Sequence, residues 1–275
     1  MFARIQHLPP KSFKRKCGVK RETFDKMVDI LKPKLTRKGK RGGQGKFGVE
    51  DQLLIAMEYW REYRTQFHIG QSWGIDETTV GRRVRKIEDI LMQSGEFRLP
   101  GKKALHSPET QRNILLIDVS ESPIERPKKK QRLYYSGKQK WHTLKAQVVV
   151  DYLSGLIVCT AFDQGRRHDF RIFKQAQLPT QLEQLWVADR GYQGIAKFHA
   201  YSCTPYKKSR HQPLSKEERQ FNRQLAQVRI TVEHTFRKLK IFRILAERYR
   251  NRRKRFGLRF NLIAGFLNYE LTHSN

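Results

Sequence analysis

The chain has 275 residues and carries 57 lysines and arginines against 26 aspartates and glutamates, a formal net charge of +31 at pH 7. Self-repulsion of this size destabilises a compact fold, so the composition indicates a polyanionic partner, of which a nucleic acid is the first candidate. No stretch approaches the roughly 20 apolar residues of a membrane span, the N-terminus lacks the apolar block of a secretory signal, and three widely separated cysteines fit neither a disulfide framework nor a zinc site.

The first predicted element is a helix over residues 20–32, where apolar residues recur at helical spacing. The stretch that follows, residues 33–46, is basic, rich in glycine and without periodicity. It is either a solubilising linker or a flexible arm that follows DNA, and the composition suits both.

A compact helical region is predicted over residues 49–92. A Gly74–Ile75 turn and the N-cap residue Asp76 separate a short helix from a second one over 76–91. The second helix has a buried stripe formed by Val80, Val84, Ile87 and Leu91. Its outer face carries Thr78, Arg82, Arg83, Arg85 and Lys86. A helix, a glycine-containing turn and a helix with a basic face are typical of a helix-turn-helix, although a plain helical bundle can show the same pattern.

Residues 93–112 are rich in glycine, proline and serine and mark a domain boundary. We therefore predict an N-terminal DNA-binding domain over residues 1–95, with its helix-turn-helix at about 49–92. A linker over 96–112 then leads to a second domain over 113–275.

The second domain begins with strands. The segment "NILLIDV" (113–119) is a predicted strand that ends in an acid, and residues 132–162 predict a hairpin around the turn "DYLSG". A short helix, "HDFRIFKQAQ", precedes the strand "QLWVAD", which also ends in an acid, and "SCTPYKK" is a further candidate strand. Residues 215–249 have helical periodicity, and an apolar helix closes the chain. This order predicts an α/β fold with a mixed sheet and helices on its faces.

Three carboxylates form the candidate site. Asp118 and Asp189 end predicted strands, and functional groups in open α/β sheets gather at such ends. Glu233 lies on a later helix beside a buried stripe, with Arg229 one turn before it and Arg237 one turn after. Alone, Glu233 has the pattern of an ordinary surface ion-pairing residue. Together the three acids suit Mg²⁺ or Mn²⁺, and two such ions roughly 4 Å apart activate the attacking oxygen and stabilise the leaving one in phosphodiester chemistry.

Five segments, "IDVSESPIERP", "KQKWHTLKAQVVVD", "GRRHDFRIF", "VADRGYQG" and "VRITVEHTFRKLK", resemble the DDE transposases of bacterial insertion sequences. The resemblance is to the branch of insertion-sequence family 5, which is similar to the eukaryotic Harbinger group, and it spans nearly all of residues 113–245. It implies an RNase H-like fold, a metal-binding catalytic triad of Asp118, Asp189 and Glu233, and an Arg-x3-Glu-x6-Lys pattern that ends here at Lys240. The family's frequent tyrosine three positions before the arginine is replaced by Ala226.

Other residues have two interpretations each. His168 and Asp169 either cap the following helix or approach the metal or the scissile phosphate. Glu121 either supports the metal ligands from outside or is an ordinary loop acid, and we favour the loop. Trp141 and His142 are either core and turn residues or packing surfaces for a flipped or frayed base. Phosphate-binding candidates near the predicted site are Arg190, Lys138, Lys140, Lys207 and Lys208, in addition to Arg229, Arg237 and Lys240.

The sequence therefore predicts a bacterial, nucleoid-associated cytoplasmic DNA transposase. It is expected to bind the terminal inverted repeats of its insertion sequence, to cleave at the element ends and to join the 3′-hydroxyls to target DNA, using two Mg²⁺ or Mn²⁺ ions. Two ends must be joined in one event, so a homodimer or larger assembly on DNA is expected. The alternatives are a metal-dependent nuclease, a domesticated DNA-binding derivative without strand transfer, and a non-enzymatic nucleic-acid-binding protein, for which the charge alone suffices.

Overall fold

The structure is a computed structural model that describes residues 1–36, 47–106, 114–179, 183–209 and 213–273. The chain divides into two compact units. The first comprises residues 1–98, 239–247 and 258–275, and the second comprises residues 99–238 and 248–257. Most of the predicted basic arm at 33–46 lies outside the described residues.

The first unit is helical. Its helices are α1 (Phe2–Ile5), α2 (Pro10–Cys17), α3 (Arg21–Leu35), α4 (Val49–Met57), α5 (Gln66–Trp73), α6 (Glu77–Ser94), α10 (Arg243–Ala246) and most of α11 (Phe256–Thr272). A π-helical turn over Glu58–Glu62 continues α4 and ends at Tyr63, whose φ of 52° reverses the backbone into the left-handed region. None of the helices in the described ranges has the combination of length and apolarity that crossing a membrane requires.

The end of the chain completes the core of this first unit. The ring of Phe97 packs edge-on against Phe266 of α11, with 5.0 Å between centroids. Gly265 permits this approach, because a Cβ there would lie 1.9 Å from the Phe97 carbonyl oxygen. Glu88 of α6 is fully buried and accepts hydrogen bonds from Arg259 Nε at 2.6 Å and Trp60 Nε1 at 3.0 Å.

The predicted helix-turn-helix geometry is present as α5 and α6. Gly74 ends α5 with a φ of 61°, and a Cβ on Gly70 would lie 2.5 Å from the Ile75 carbonyl oxygen, so both positions require glycine. The Asp76 carboxylate accepts the Thr78 N–H at 2.8 Å and caps α6. The predicted inward stripe is confirmed, since all four of its residues are buried: Val80, Val84, Ile87 and Leu91.

The second unit is built on a six-stranded mixed sheet. Its strands are β1 (Ile114–Pro123), β2 (Tyr135–Ser136), β3 (Trp141–Asp151), β4 (Ile157–Gln164), β5 (Leu185–Ala188) and β6 (Ser202–Cys203). The order across the sheet is β4, β3, β1, β5, β6, with β2 beside the first residues of β3. Strands β1, β5 and β6 are parallel, and β3 is antiparallel to both β1 and β4. This is the RNase H-like arrangement.

Three helices accompany the sheet: α7 (Gln131–Tyr134), α8 (Asp169–Ala176) and α9 (Lys216–Lys240). The sheet core includes Leu115, Ile117, Val149 and Trp186, and Phe173 of α8 packs edge-on against Trp186 at 6.0 Å between centroids. The predicted mixed sheet, its hairpin and its flanking helices are thus confirmed. Strand β1 continues four residues beyond the predicted end at 119, so Asp118 lies within the strand and not at its last residue.

Candidate active site

Asp118 and Asp189 come together because their strands are neighbours. The parallel register pairs Ile117 of β1 with Ala188 of β5, so the next position along both strands sets the two aspartates side by side. Both acids therefore lie at the same edge of the sheet, as expected for residues at the carboxyl ends of adjacent parallel strands.

Asp118 is largely enclosed, with its side chain 17% exposed. One carboxylate oxygen accepts the Val119 N–H at 2.8 Å, and the other lies 3.3 Å from Arg229 Nη2. Burial raises the pKa of this carboxyl to about 6, against the opposing effect of the Arg229 charge, and the charges of Asp189 and Asp169 raise it further. The arginine therefore only partly compensates the cost of ionising Asp118, which a bound cation would reduce.

Asp189 begins a tight 3₁₀ turn, Arg190–Tyr192, and its Oδ1 accepts the Gly191 N–H at 2.8 Å. The glycine is required for space. A Cβ on Gly191 would lie 2.9 Å from Asp189 Oδ1 and 3.0 Å from Asp169 Oδ2, so both carboxylates adjoin this residue. Asp189 and Asp169 therefore meet around Gly191, and Asp118 lies beside Asp189 by the register of β1 and β5.

Lys145 holds Asp169 in place. Its side chain is 9% exposed, and its Nζ lies 2.7 Å from Asp169 Oδ1, 2.7 Å from the Arg167 carbonyl oxygen and 3.7 Å from Glu121 Oε1. Glu121 is therefore not a loop acid: it lies in β1 opposite Lys145 and also accepts the Thr143 hydroxyl at 2.7 Å. The loop interpretation failed because β1 continues through Pro123.

His168 and Asp169 differ in their surroundings. His168 occupies the N-cap position of α8, but its side chain is exposed and makes no capping hydrogen bond. Asp169 instead joins the acidic cluster through Lys145 and Gly191. Sequence reasoning did not single out Lys145, although alternating polar residues, Thr143, Lys145 and Gln147, in an otherwise apolar strand are typical of a side facing a polar site.

Tyr192 lies close to the three aspartates. The ring is fully buried, and its hydroxyl donates to Gln147 Oε1 at 3.2 Å. Burial raises the pKa of this phenol well above its ordinary value, and the charges of Asp169, Asp118 and Asp189 raise it further. Tyr192 therefore remains a protonated hydrogen-bond donor beside the acids. Sequence reasoning missed this role.

Helix α9 supplies the remaining predicted residues. Arg229, 19% exposed, reaches Asp118, whereas Glu233 one turn later is exposed, as are Arg237 and Lys240. The buried stripe predicted for this helix is buried at Leu225, Val232, Thr235 and Leu239 of α9 and partly buried at Val228. Its last predicted member, Phe242, is also buried but lies beyond the end of α9. Among the described residues, no three histidine, cysteine or acidic side chains are grouped closely enough to hold a metal ion.

The donor chemistry of the aspartates nonetheless fits a divalent cation. Paired carboxylate oxygens are the ligands that Mg²⁺ and Mn²⁺ prefer. No hydrogen bond within the described ranges occupies Asp189 Oδ2, and Arg229 has a buried Nε donor with no partner there. One oxygen is thus available to a cation and one N–H to an anion.

The other predicted DNA contacts lie on the surface. Exposed cations near strand ends are Lys138, Lys140, Arg190, Lys207 and Lys208. On α6, Thr78, Arg82, Arg85 and Lys86 are exposed. Arg83 differs from the expectation of an outward residue, since it is partly buried and its guanidinium lies 5.3 Å from the centre of the Phe47 ring. Their binding to DNA stays a prediction.

Comparisons with known proteins agree with this architecture. Residues 117–268 match the family described as DDE superfamily endonuclease, and residues 45–97 match the helix-turn-helix of DDE superfamily endonuclease. The chain is 50% identical over 268 residues to a Microchaete diplosiphon protein named as a transposase for insertion sequence element IS702, covering 98% of this chain and 97% of the relative.

More distant relatives include a bacterial and a mammalian protein. A Streptomyces albus G protein named as a transposase for insertion sequence element IS112 is 23% identical over 235 residues, 84% of each chain. A Rattus norvegicus protein named as the nuclease HARBI1 is 23% identical over 235 residues, which cover 81% of this chain and 65% of the relative. No solved structure gives a significant match.

Proposed function

The chain belongs to the DDE superfamily of endonucleases, and from that membership we propose that it is the transposase of an insertion sequence. It cuts the phosphodiester bonds at the ends of its element and joins the freed 3′-hydroxyls to target DNA. The observation that carries the proposal is the adjacency of Asp118 and Asp189 on neighbouring parallel strands, with a guanidinium in contact with the first.

Asp118 and Asp189 are the proposed metal ligands, and Glu233 is the third. A bound Mg²⁺ or Mn²⁺ pair would supply Lewis-acid activation of the attacking oxygen and stabilisation of the leaving oxygen. Glu233 lies one turn beyond Arg229 on α9, and its joining of the aspartates when DNA and cations bind is part of the proposal.

Arg229 is proposed to bind the scissile phosphate. Its Nη2 contacts Asp118, while its buried Nε lacks a partner within the described residues. A phosphate oxygen would satisfy that donor with a charge-assisted hydrogen bond. Arg229 would then contact both the scissile phosphate and Asp118, so it would fix the position of the phosphate relative to the first metal ligand.

Asp169 and Lys145 are proposed as positioning residues. Lys145 fixes Asp169, and Asp169 adjoins Gly191, whose N–H in turn holds Asp189. Loss of this support would displace Asp189 from its productive orientation. His168 makes no comparable contact in the described part of the chain and has no proposed role.

DNA recognition is assigned to α6 in the first unit. Its exposed Thr78, Arg82, Arg85 and Lys86 would face the major groove of the terminal inverted repeats, with Arg83 contributing from its position against Phe47. Phosphate contacts are assigned to Arg190, Arg237, Lys240, Lys138, Lys140, Lys207 and Lys208. Because two ends are joined, the active form is proposed to be a homodimer or larger assembly on DNA in the bacterial nucleoid.

The test combines purified protein, duplexes that carry the element ends, a target plasmid and Mg²⁺. Cleaved ends and joined products are expected, and Asp118→Asn is expected to slow both by more than about 100-fold, beyond the usual effect of residues outside the ligands. Cleavage without joined products would reduce the function to that of a nuclease. Unchanged processing by Asp118→Asn would refute metal catalysis at this site.

The role of Glu233 needs a matched control on the same helix. Glu233→Gln is compared with Glu217→Gln, which changes an exposed glutamate in the first turn of α9. Loss of cleavage is expected for the first variant and not for the second. Equal activity of the two variants would remove Glu233 from the proposed triad.

A further inference from the structure

We propose that a basic, aromatic cavity in the second unit binds an unstacked nucleotide of single-stranded DNA. The cavity has a volume of about 740 Å³ and is lined by Arg126, Arg132, Arg166, Gln131, Tyr135 and His142. This volume lies within the range that accommodates a small-molecule-sized ligand, and it is too small for a paired duplex.

The charge of the cavity indicates an anionic ligand. Three arginines line it, and within the described ranges of the chain none of them pairs with a carboxylate. Arg126 donates from its Nε to Gln131 Oε1 at 2.9 Å, which orients its guanidinium without neutralising it. Like charges converge here at an energetic cost that a phosphate would offset. The planar guanidinium is well matched to phosphate oxygens.

The aromatic residues indicate a planar ligand next to that phosphate. Tyr135 is 44% exposed and packs edge-on against His142, with 5.7 Å between ring centroids. Trp141, which precedes His142, is 48% exposed and does not line the cavity, so it serves as a nearby fluorescent reporter. Exposed rings beside cations form a stacking platform for unpaired bases. A base inside a duplex has both faces covered by its neighbours and cannot use such a platform.

The position of the cavity connects it with the candidate active site. Asp118 on β1 pairs with Val148 on β3, and His142 lies six residues before Val148 on the same strand. At about 3.3 Å per residue, the cavity is roughly 20 Å from the level of Asp118 along the sheet. A strand opened near the scissile phosphate could reach the cavity within a few nucleotides. The inference rests on the proposed function in taking DNA as the polymer.

Binding is measured without catalysis, in EDTA, by the fluorescence anisotropy of labelled (dT)12, (rU)12 and a 12-base-pair duplex. Arg132→Ala and Tyr135→Ala are expected to weaken (dT)12 binding about tenfold and duplex binding less than about twofold. Tyr135→Phe keeps the ring and is expected to bind (dT)12 like the unmodified protein. Arg171→Ala, which removes an exposed arginine of α8 outside the cavity, controls for the loss of one charge.

Tryptophan emission gives a second, local readout. Trp60, Trp73 and Trp186 are buried, so Trp141 is the exposed member of the four. Bound (dT)12 is expected to quench the emission, and Trp141→Phe is expected to abolish the quenching. Circular dichroism checks that each variant folds.

Three results would overturn the inference: equal weakening of duplex and (dT)12 by the cavity variants, no weakening of either, or tighter binding of (rU)12 than of (dT)12. Each can occur while the protein still cleaves element ends. Failure of this inference is therefore distinguishable from failure of the proposed function.

Discussion

Asp118→Asn should stabilise the protein at neutral pH when no divalent metal is present. Burial raises the pKa of Asp118 from 3.8 to about 6, and one pKa unit corresponds to about 1.4 kcal/mol. The ionised carboxylate therefore lowers the free energy of unfolding by up to about 3 kcal/mol. Asparagine resembles the protonated acid in shape and charge, so the substitution should recover most of this free energy.

The stability gained by Asp118→Asn depends on pH. A carboxyl whose pKa is raised in the folded state costs no stability below the unfolded value of 3.8, and its cost grows as the pH rises to about 6. The asparagine variant should therefore match the unmodified protein at pH 4 and exceed it by about 2–3 kcal/mol at pH 7.5. Urea unfolding in EDTA, followed by circular dichroism across this range, measures the difference.

Mg²⁺ should cancel most of this difference. A cation that binds the folded state at 100 times its dissociation constant adds about 2.7 kcal/mol to the unmodified protein and little to the variant. Asp29→Asn, at a largely exposed position of α3, is the control and should change the free energy of unfolding by less than about 0.5 kcal/mol. The reasoning is refuted if Asp118→Asn is destabilising at pH 7.5 in EDTA, or if its gain is the same at pH 4.

Three further predictions concern other parts of the molecule. Gly191→Ala should displace the two carboxylates that flank the glycine and lower the cleavage rate at least about tenfold, with little change in melting temperature, as kinetic and thermal assays would show. Glu88→Ala removes the carboxylate that accepts the hydrogen bond of the buried Arg259 guanidinium and should lower the free energy of unfolding by about 3–5 kcal/mol, measured by urea titration. Arg83→Ala should lower both stability and DNA affinity, because its guanidinium packs on an aromatic ring, whereas Arg82→Ala should alter only the sequence preference in a binding assay.

Each of these three predictions has a result that would contradict it. Full cleavage activity in Gly191→Ala would mean that the carboxylates have room to separate without loss of function. A Glu88→Ala protein as stable as the unmodified one would mean that Arg259 is hydrated or finds another acceptor. Equal melting temperatures for the Arg82 and Arg83 variants would show that the aromatic contact contributes nothing measurable.

The sequence was informative where the pattern was local. The apolar segments ending in Asp118 and Asp189 predicted their strands, but the pairing of those strands with each other became visible only in the sheet. The N-cap at Asp76 and the glycine before it predicted the helix-turn-helix turn, because both are determined by adjacent residues.

The sequence was uninformative where contacts depend on three-dimensional register. Lys145 meets Asp169 across 24 positions of sequence, and Glu121 was assigned to a loop because nothing local shows how far β1 continues. The contact of Arg229 with Asp118 spans 111 positions. Partners at such separations are selected by the topology of the sheet, and one sequence without its fold does not reveal them.

The ion pair between Glu88 and Arg259 has a consequence for folding during synthesis on the ribosome. The two residues are separated by 171 positions, so the glutamate emerges on the order of 10–30 s before its partner at bacterial translation speeds. During that interval the nascent helical unit lacks the Arg259 guanidinium that donates to Glu88 and the α11 ring of Phe266 that packs against Phe97. A prematurely terminated polypeptide would thus lack a completed core in its helical unit, and that core would form only after α11 has been synthesised.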